Sequence, residues 1–258
     1  MKDKGPFRFK RFSVRHSRSS MKVGVDGVML GCWADLDRSY RILDVGTGCG
    51  VIALICAQRA PEANIQAIDI DPPSVEEATL NFASSGFSER LIAQKADFIS
   101  FIPATPYDHI ISNPPFFNAG IKEIHTSREG ARHQVSLNIM SLVRKAKNVM
   151  TEDGALSLVL PADQLRQLTE AAISNQMDIS RLLFVRGHAS AQVKRILAEV
   201  RNSKSISGRS ADIESRDHLI SGYTERLIQS APILTMLEED GSPTPEYHDL
   251  CRDFYIRF

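Results

Sequence analysis

Asn113-Pro114-Pro115-Phe116 follows the apolar run Tyr107–Ser112, and its residue types could do chemistry on a planar amine. Such an amine is a weak nucleophile because its lone pair is delocalised into the ring or carbonyl it is attached to. Two rigid acceptors can hydrogen-bond its two N–H groups and favour the positive charge that develops on nitrogen during attack. The Asn113 side-chain oxygen can be one acceptor and the Pro114 carbonyl the other. Pro114 and Pro115 restrict φ at both positions and so aim that carbonyl. Phe116 can stack on an aromatic base. The bland alternative is a stiff turn after a strand, and the motif alone leaves both open.

A second group lies upstream in "LDVGTGCG", residues 43–50. Gly46, Gly48 and Gly50 allow close backbone approach to a ligand at a helix N-terminus. Their G-x-G-x-G spacing is tighter than the dinucleotide fingerprint G-x-G-x-x-G. Asp44 precedes them. A carboxylate there is a poor neighbour for a pyrophosphate and a good one for an ammonium group. Asp69 ends the next apolar run and can accept from two ribose hydroxyls. Asp97 and Phe98 end the third, an acceptor for an adenine amine beside an apolar wall. Together they describe a nucleoside with a cationic amino-acid tail, which is S-adenosylmethionine.

These residues need a frame. Strands are expected at 41–46, 64–70, 90–97, 107–113, 155–161, 179–187 and 194–202. Helices are expected at 50–60, 73–86 and 136–154, and from Ala162. This alternation implies an α/β fold, a mostly parallel sheet with helices on both faces. The last two strands read as an antiparallel edge hairpin. Residues 203–243 are polar and weakly periodic, and loops or irregular helix are expected there. Tyr247, Leu250, Cys251, Phe254, Tyr255 and Phe258 recur at helical spacing and predict a docked C-terminal helix.

The 258 residues have a net charge of +0, so overall charge names no partner. Charge is nevertheless uneven. Residues 1–22 carry eight Lys and Arg against Asp3, and residues 181–209 carry seven against Glu199. Either run could bind an anion or simply be solvated. Cys32, Cys49, Cys56 and Cys251 show neither C-x-x-C nor zinc spacing, which predicts reduced thiols, a cytoplasmic protein and no metal. No signal-peptide pattern or membrane-length apolar stretch is present. One domain is expected: a basic, cofactor-closing segment (1–40), a catalytic core (41–202) and a polar region with the docked helix (203–258).

"DVGTGCG" resembles the first motif of class I S-adenosylmethionine-dependent methyltransferases, and Asn113–Phe116 resembles the N-P-P-[FYW] motif of amino methyltransferases. "FKRFSVRHSRSSMKVGVDGVMLGCWA" (9–34) and the ending "DFYIRF" are similar to the bacterial tRNA-Val position-37 adenine N6-methyltransferases. Val25 replaces the usual Thr before Asp26, and Ser17 stands where Asp is common. The resemblance implies a Rossmann-like, seven-stranded sheet with an antiparallel last strand. It assigns Asp44, Gly46, Gly48 and Gly50 to the methionine part, Asp69 to the ribose, and Asp97 and Phe98 to the adenine. Met21–Gly27 would close over the cofactor, with Lys22 and Asp26 as contact or loop-fixing residues; Asn113 would border it. Arg132 and His133 would orient substrate or pin their loop. Lys10, Arg11, Arg15 and Arg18 could hold phosphates of a tRNA anticodon loop beside a monomeric enzyme. The nearest rivals are methylation of guanine N2 in ribosomal RNA and of a protein glutamine. Glutamine enzymes usually carry Tyr where Phe116 stands. A nucleotide-dependent oxidoreductase and a non-catalytic RNA-binding module fit the glycine spacing and the three acids less well.

Overall fold

The computed structural model describes residues 5–19, 22–115, 138–203 and 213–258. Phe116, Arg132, His133 and Met21 lie outside them. A small hairpin, β1 (Phe7–Arg8) and β2 (Ser13–Val14), precedes α1 (Val25–Trp33). The core then alternates: β3 (Arg41–Val45), α2 (Val51–Arg59), β4 (Asn64–Asp69), α3 (Pro72–Ala83), β5 (Leu91–Lys95) and β6 (Tyr107–Ser112). After it come α4 (Ile139–Val149), β7 (Met150–Pro161), α5 (Leu165–Ser174), β8 (Met177–His188) and β9 (Arg195–Asn202). The chain ends with α6 (Ile213–Ser230), β10 (Ile233–Leu237) and α7 (Pro245–Cys251).

One eight-stranded sheet has the order β10-β8-β9-β7-β6-β3-β4-β5. β9 runs antiparallel to both neighbours and every other adjacent pair is parallel. From β3 the chain proceeds outward through β4 to β5, then returns to the opposite side of β3 with β6. The switch point therefore lies between β3 and β6, where ligands bind in open α/β sheets, at the strands' carboxyl ends. Val28, Leu30, Ile55 and Phe82 belong to an apolar layer over one face; Leu142, Val143, Leu168 and Ala172 belong to the layer over the other.

Five expectations need correction. The sheet has eight described strands instead of seven, because β10 adds to β8 at the outer edge. The late hairpin is internal, since β9 sits between β7 and β8. Segment 203–243 contains α6 and β10. Ile220, Tyr223 and Leu227 give α6 about one apolar contact per turn, too narrow a stripe to stand out from a polar background. The helix expected over 136–154 ends at Val149. Residues 151–154 form an excursion in β7 between the pairs Tyr107↔Met150 and His109↔Ala155.

The C-terminal helix likewise stops at Cys251, but the aromatic residues beyond it still pack. Phe9 bridges to Tyr255, and Lys10 N–H donates to the Phe254 carbonyl at 2.9 Å. The tail thereby holds β1 and β2 in place.

Candidate active site

β3 ends in a turn that only glycine-rich sequence adopts without strain. Gly46, Gly48 and Gly50 have φ of 70°, 54° and 82°, in the left-handed region. A Cβ on Gly50 would lie 2.5 Å from Phe82 Cε1, so that position also requires the missing side chain. A Cβ on Gly46 would meet nothing within 4 Å; there the turn faces open space. The turn is pinned from β4: Gly46 and Thr47 N–H donate to the Ile68 carbonyl, and Gly48 N–H donates to Asp69 Oδ2 at 2.9 Å.

Asp44 sits beneath this turn and is fully buried. Its Oδ2 accepts from Thr47 Oγ1 (2.6 Å) and Ala53 N–H (3.2 Å), whereas Oδ1 is buried and has no partner among the described residues. Burial pushes the carboxyl up to about 7, although the bonds from Thr47 and Ala53 oppose the shift. A buried carboxylate with one idle oxygen suits a cationic ligand group.

Parallel pairing of Asp44 with Ile111 and Val45 with Ser112 brings Asn113 level with Gly46 across the switch point. Ser112 Oγ donates to the Val45 carbonyl at 2.7 Å and ties the two strand ends together. Asn113 is half-buried, and its Oδ1 is buried without a partner among the described residues. Pro114 is buried and Pro115 exposed. Two acceptors without partners among the described residues thus occupy adjacent strand ends.

The other expected cofactor residues are distributed as follows. Asp69 ends β4, where its oxygens accept from Gly48 and Asp71 N–H; each retains a further lone pair. Asp97 follows β5, is exposed, and accepts from Ile99 N–H at 3.0 Å. Phe98 is 4% exposed and packs into the core, so it supports the strand end without presenting an open ring face. Lys22 is exposed just before α1. Asp26, in the first turn of α1, forms an ion pair with Arg195 (2.8 Å).

The four basic residues expected at the entrance are split. Arg15 and Arg18 have exposed side chains on a segment fastened to α3 beside the glycine turn. Lys10 and Arg11 instead line a cleft with Gln58, Arg59, Asp249 and Asp253 at the far end of α2. Nine residues of helix separate that end from Gly50, about 13 Å. The tail's hold on β1 and β2 draws these two cations away from the turn.

Sequence reasoning missed the residues that hold the N-terminal segment. Glu77 Oε1 accepts from Ser17 and Arg18 N–H (2.8 and 3.0 Å), and Oε2 from Ser19 N–H (2.8 Å). Burial alone would raise this carboxyl, but those donors outweigh it and hold it below its ordinary value. Asn81 exchanges two 2.8 Å bonds with the Arg15 backbone and donates to the Cys49 carbonyl in the glycine turn. A signal was available. Ser74, Glu77 and Asn81 recur at helical spacing on the same buried side of α3 as Ala78 and Phe82, polar residues where a core face is expected.

Comparison with known proteins agrees with this architecture. The methyltransferase small domain family matches residues 28–178. A Porphyromonas gingivalis (strain ATCC 33277) protein named tRNA1(Val) (adenine(37)-N6)-methyltransferase is 36% identical over 258 residues, covering 96% of this chain and 94% of its own. A Vibrio vulnificus (strain YJ016) protein of the same name is 34% identical, covering 100% and 98%. Among solved structures, a protein from Agrobacterium tumefaciens described as a predicted O-methyltransferase superposes with a TM-score of 0.61 at 20% identity, covering 89% of this chain and 96% of that one. An O-methyltransferase from a Brevibacillus brevis multienzyme, in complex with S-adenosyl-L-homocysteine, gives 0.53 at 12% identity, covering 80% and 78%. At these identities the structures establish the fold alone. The sequence relatives reach further: the chain belongs to the methyltransferase small domain family and, within it, to the tRNA1(Val) (adenine(37)-N6)-methyltransferases.

Proposed function

We propose that this protein methylates the exocyclic N6 amine of adenine 37, beside the anticodon of a valine tRNA, with S-adenosylmethionine as donor. The observation that carries the reading is Asn113, whose buried Oδ1 lies level with the glycine turn and has no partner among the described residues. The relatives' shared name supports the substrate.

S-adenosylmethionine supplies an electrophilic methyl group on a sulfonium centre. The idle Asp44 Oδ1 is suited to its ammonium group, and the open side of the glycine turn at Gly46 leaves room for its amino-acid part. Asp69 is assigned to the ribose and Asp97 to the adenine, with Phe98 packed behind; Lys22 and Asp26 are assigned to the N-terminal border. The Asn113 oxygen and the Pro114 carbonyl accept from the target amine and stabilise its developing charge. Pro115 stiffens the turn, and Phe116 is the sequence's candidate for stacking on the base. The residues contribute chiefly by positioning, and this scheme calls for neither a metal nor a separate general base. The target base leaves its stack most readily in a single-stranded loop. Arg15 and Arg18 are the better placed of the basic residues to meet its phosphates, and Arg132 and His133 remain candidates for orienting the RNA. The enzyme is read as a cytoplasmic monomer.

The test is transfer of labelled methyl from S-adenosylmethionine to unfractionated tRNA taken from cells lacking this protein, followed by nucleoside analysis. N6-methyladenosine in a valine tRNA is the expected product. Label absent from tRNA but present in ribosomal RNA guanine or protein glutamine would overturn the substrate and retain the amine chemistry.

A further inference from the structure

α1, which belongs to neither strand of the switch point, approaches Asn113 at Gly27. Its Gly27 is buried, and a Cβ there would lie 3.7 Å from Asn113 Nδ2 and 3.5 Å from Ile52 Cδ1. The amide of Asn113 therefore faces α1 at Gly27, where even a methyl group would find ordinary contact distance. Its oxygen has no partner among the described residues, so no hydrogen bond from them fixes its direction, and α1 at Gly27 borders its amide nitrogen.

The first turn of α1 has its own anchor. Gly24 precedes it as a helix cap without a capping side chain. Next to Gly27, Asp26 Oδ2 accepts from Arg195 Nε at 2.8 Å, with the two side chains 27% and 32% exposed. Arg195 starts β9 opposite Pro161, the last residue of β7. It therefore stands at the carboxyl edge of the sheet, two strands from β6 and about 10 Å across. Arg195 Nη1 also donates to the Lys194 carbonyl, which holds the guanidinium against its own strand end.

We propose that Arg195 is a positioning residue for Asn113, acting through Asp26 and the first turn of α1. The inference rests on the amine-binding role of Asn113. The pair fastens α1 to the sheet edge, and Gly27 then limits where the Asn113 amide can point. A small misdirection of a transition-state acceptor lowers turnover without weakening the binding of either substrate.

The experiment compares wild type, Arg195→Gln, Asp26→Asn, the double variant and Arg195→Lys. It measures kcat, the KM for tRNA, cofactor affinity by calorimetry, and the salt dependence of RNA binding. Each single variant is expected to lose about fivefold to tenfold in kcat with tRNA KM within about twofold, and Arg195→Gln is expected to keep cofactor affinity within about twofold. The double variant is expected to lose no more than either single, because both remove one link. Arg195→Lys, which keeps the charge, is expected to recover part of the loss. In the ¹⁵N spectrum, the Asn113 side-chain amide, identified by its loss in Asn113→Ala, is expected to shift in both single variants. Unchanged kcat, or an unmoved amide signal, overturns the proposal. So does a raised tRNA KM with a salt slope reduced by about one in Arg195→Gln alone, which would make Arg195 a phosphate contact. A wild type that forms no N6-methyladenosine removes the functional reading and this inference together.

Discussion

Asp44→Asn should make the protein more stable above neutrality while weakening its hold on the cofactor. Burial raises the Asp44 carboxyl from 3.8 to about 7. The folded state therefore keeps a proton that the unfolded chain releases, and folding loses stability as pH rises from about 4 to about 7, then levels off. About three units at 1.36 kcal/mol each put the full penalty near 4 kcal/mol at pH 8, falling to about 1 kcal/mol near pH 4.5. An Asn oxygen can keep the Thr47 and Ala53 bonds, but its amide then occupies the unpartnered Oδ1 position, a pH-independent cost of about 1–3 kcal/mol. The variant should thus be more stable than wild type by about 1–3 kcal/mol at pH 8 and equal to it or less stable at pH 4.5. Denaturant unfolding across that range measures the difference. Calorimetry should show cofactor affinity lower by about tenfold to a hundredfold at pH 8, the scale of losing a charged partner. A stability difference independent of pH would refute the desolvation argument, and unchanged cofactor affinity would refute the role assigned to Oδ1.

Other outcomes follow from the same structure. Asn113→Ala should lower turnover by ~10²-fold or more, with little change in cofactor affinity measured by calorimetry. Gly50→Ala combines a φ of 82° with a Cβ 2.5 Å from Phe82, and should lower stability in denaturant unfolding by about 2–3 kcal/mol. His109 is buried against Ser157 Oγ (3.0 Å), and burial lowers its value from 6.5 to about 4. The unfolded chain takes up that proton first, so His109 removes stability as pH falls from 6.5 towards 4; His109→Gln should abolish this contribution in unfolding curves at pH 4.5 and 7. Glu77→Gln sets an amide donor against one of the N–H groups of the Ser17–Ser19 segment. It should free that segment, measured as faster trypsin cleavage after Arg15 or Arg18.

Much of the site could be read without the fold. The acids and glycines at 44–50, Asp69, and the Asn113 turn each end a run of apolar residues, and strand–helix alternation obliges such ends to share one edge of a parallel sheet. Local composition also marked β3, β4, β6 and β9 with small boundary shifts, because strands inside a sheet covered on both sides are largely apolar on both faces. Relations between distant segments had no local signature. β10 is a half-exposed edge strand and α6 buries a thin stripe, so neither rises above a polar background. Arg15, Arg18, Lys10 and Arg11 form one basic run in the sequence, yet α3 captures the first pair beside the glycine turn and the C-terminal tail draws the second pair to the far end of α2. Asp26 and Arg195 are 169 positions apart and meet only because β9 turns back between β7 and β8. The sequence by itself determined which chemistry the strand ends could perform, since residue type and spacing set that. Tertiary structure alone decided which acceptors are left without partners and what holds them in place, since burial and pairing depend on contacts between segments that no local pattern encodes.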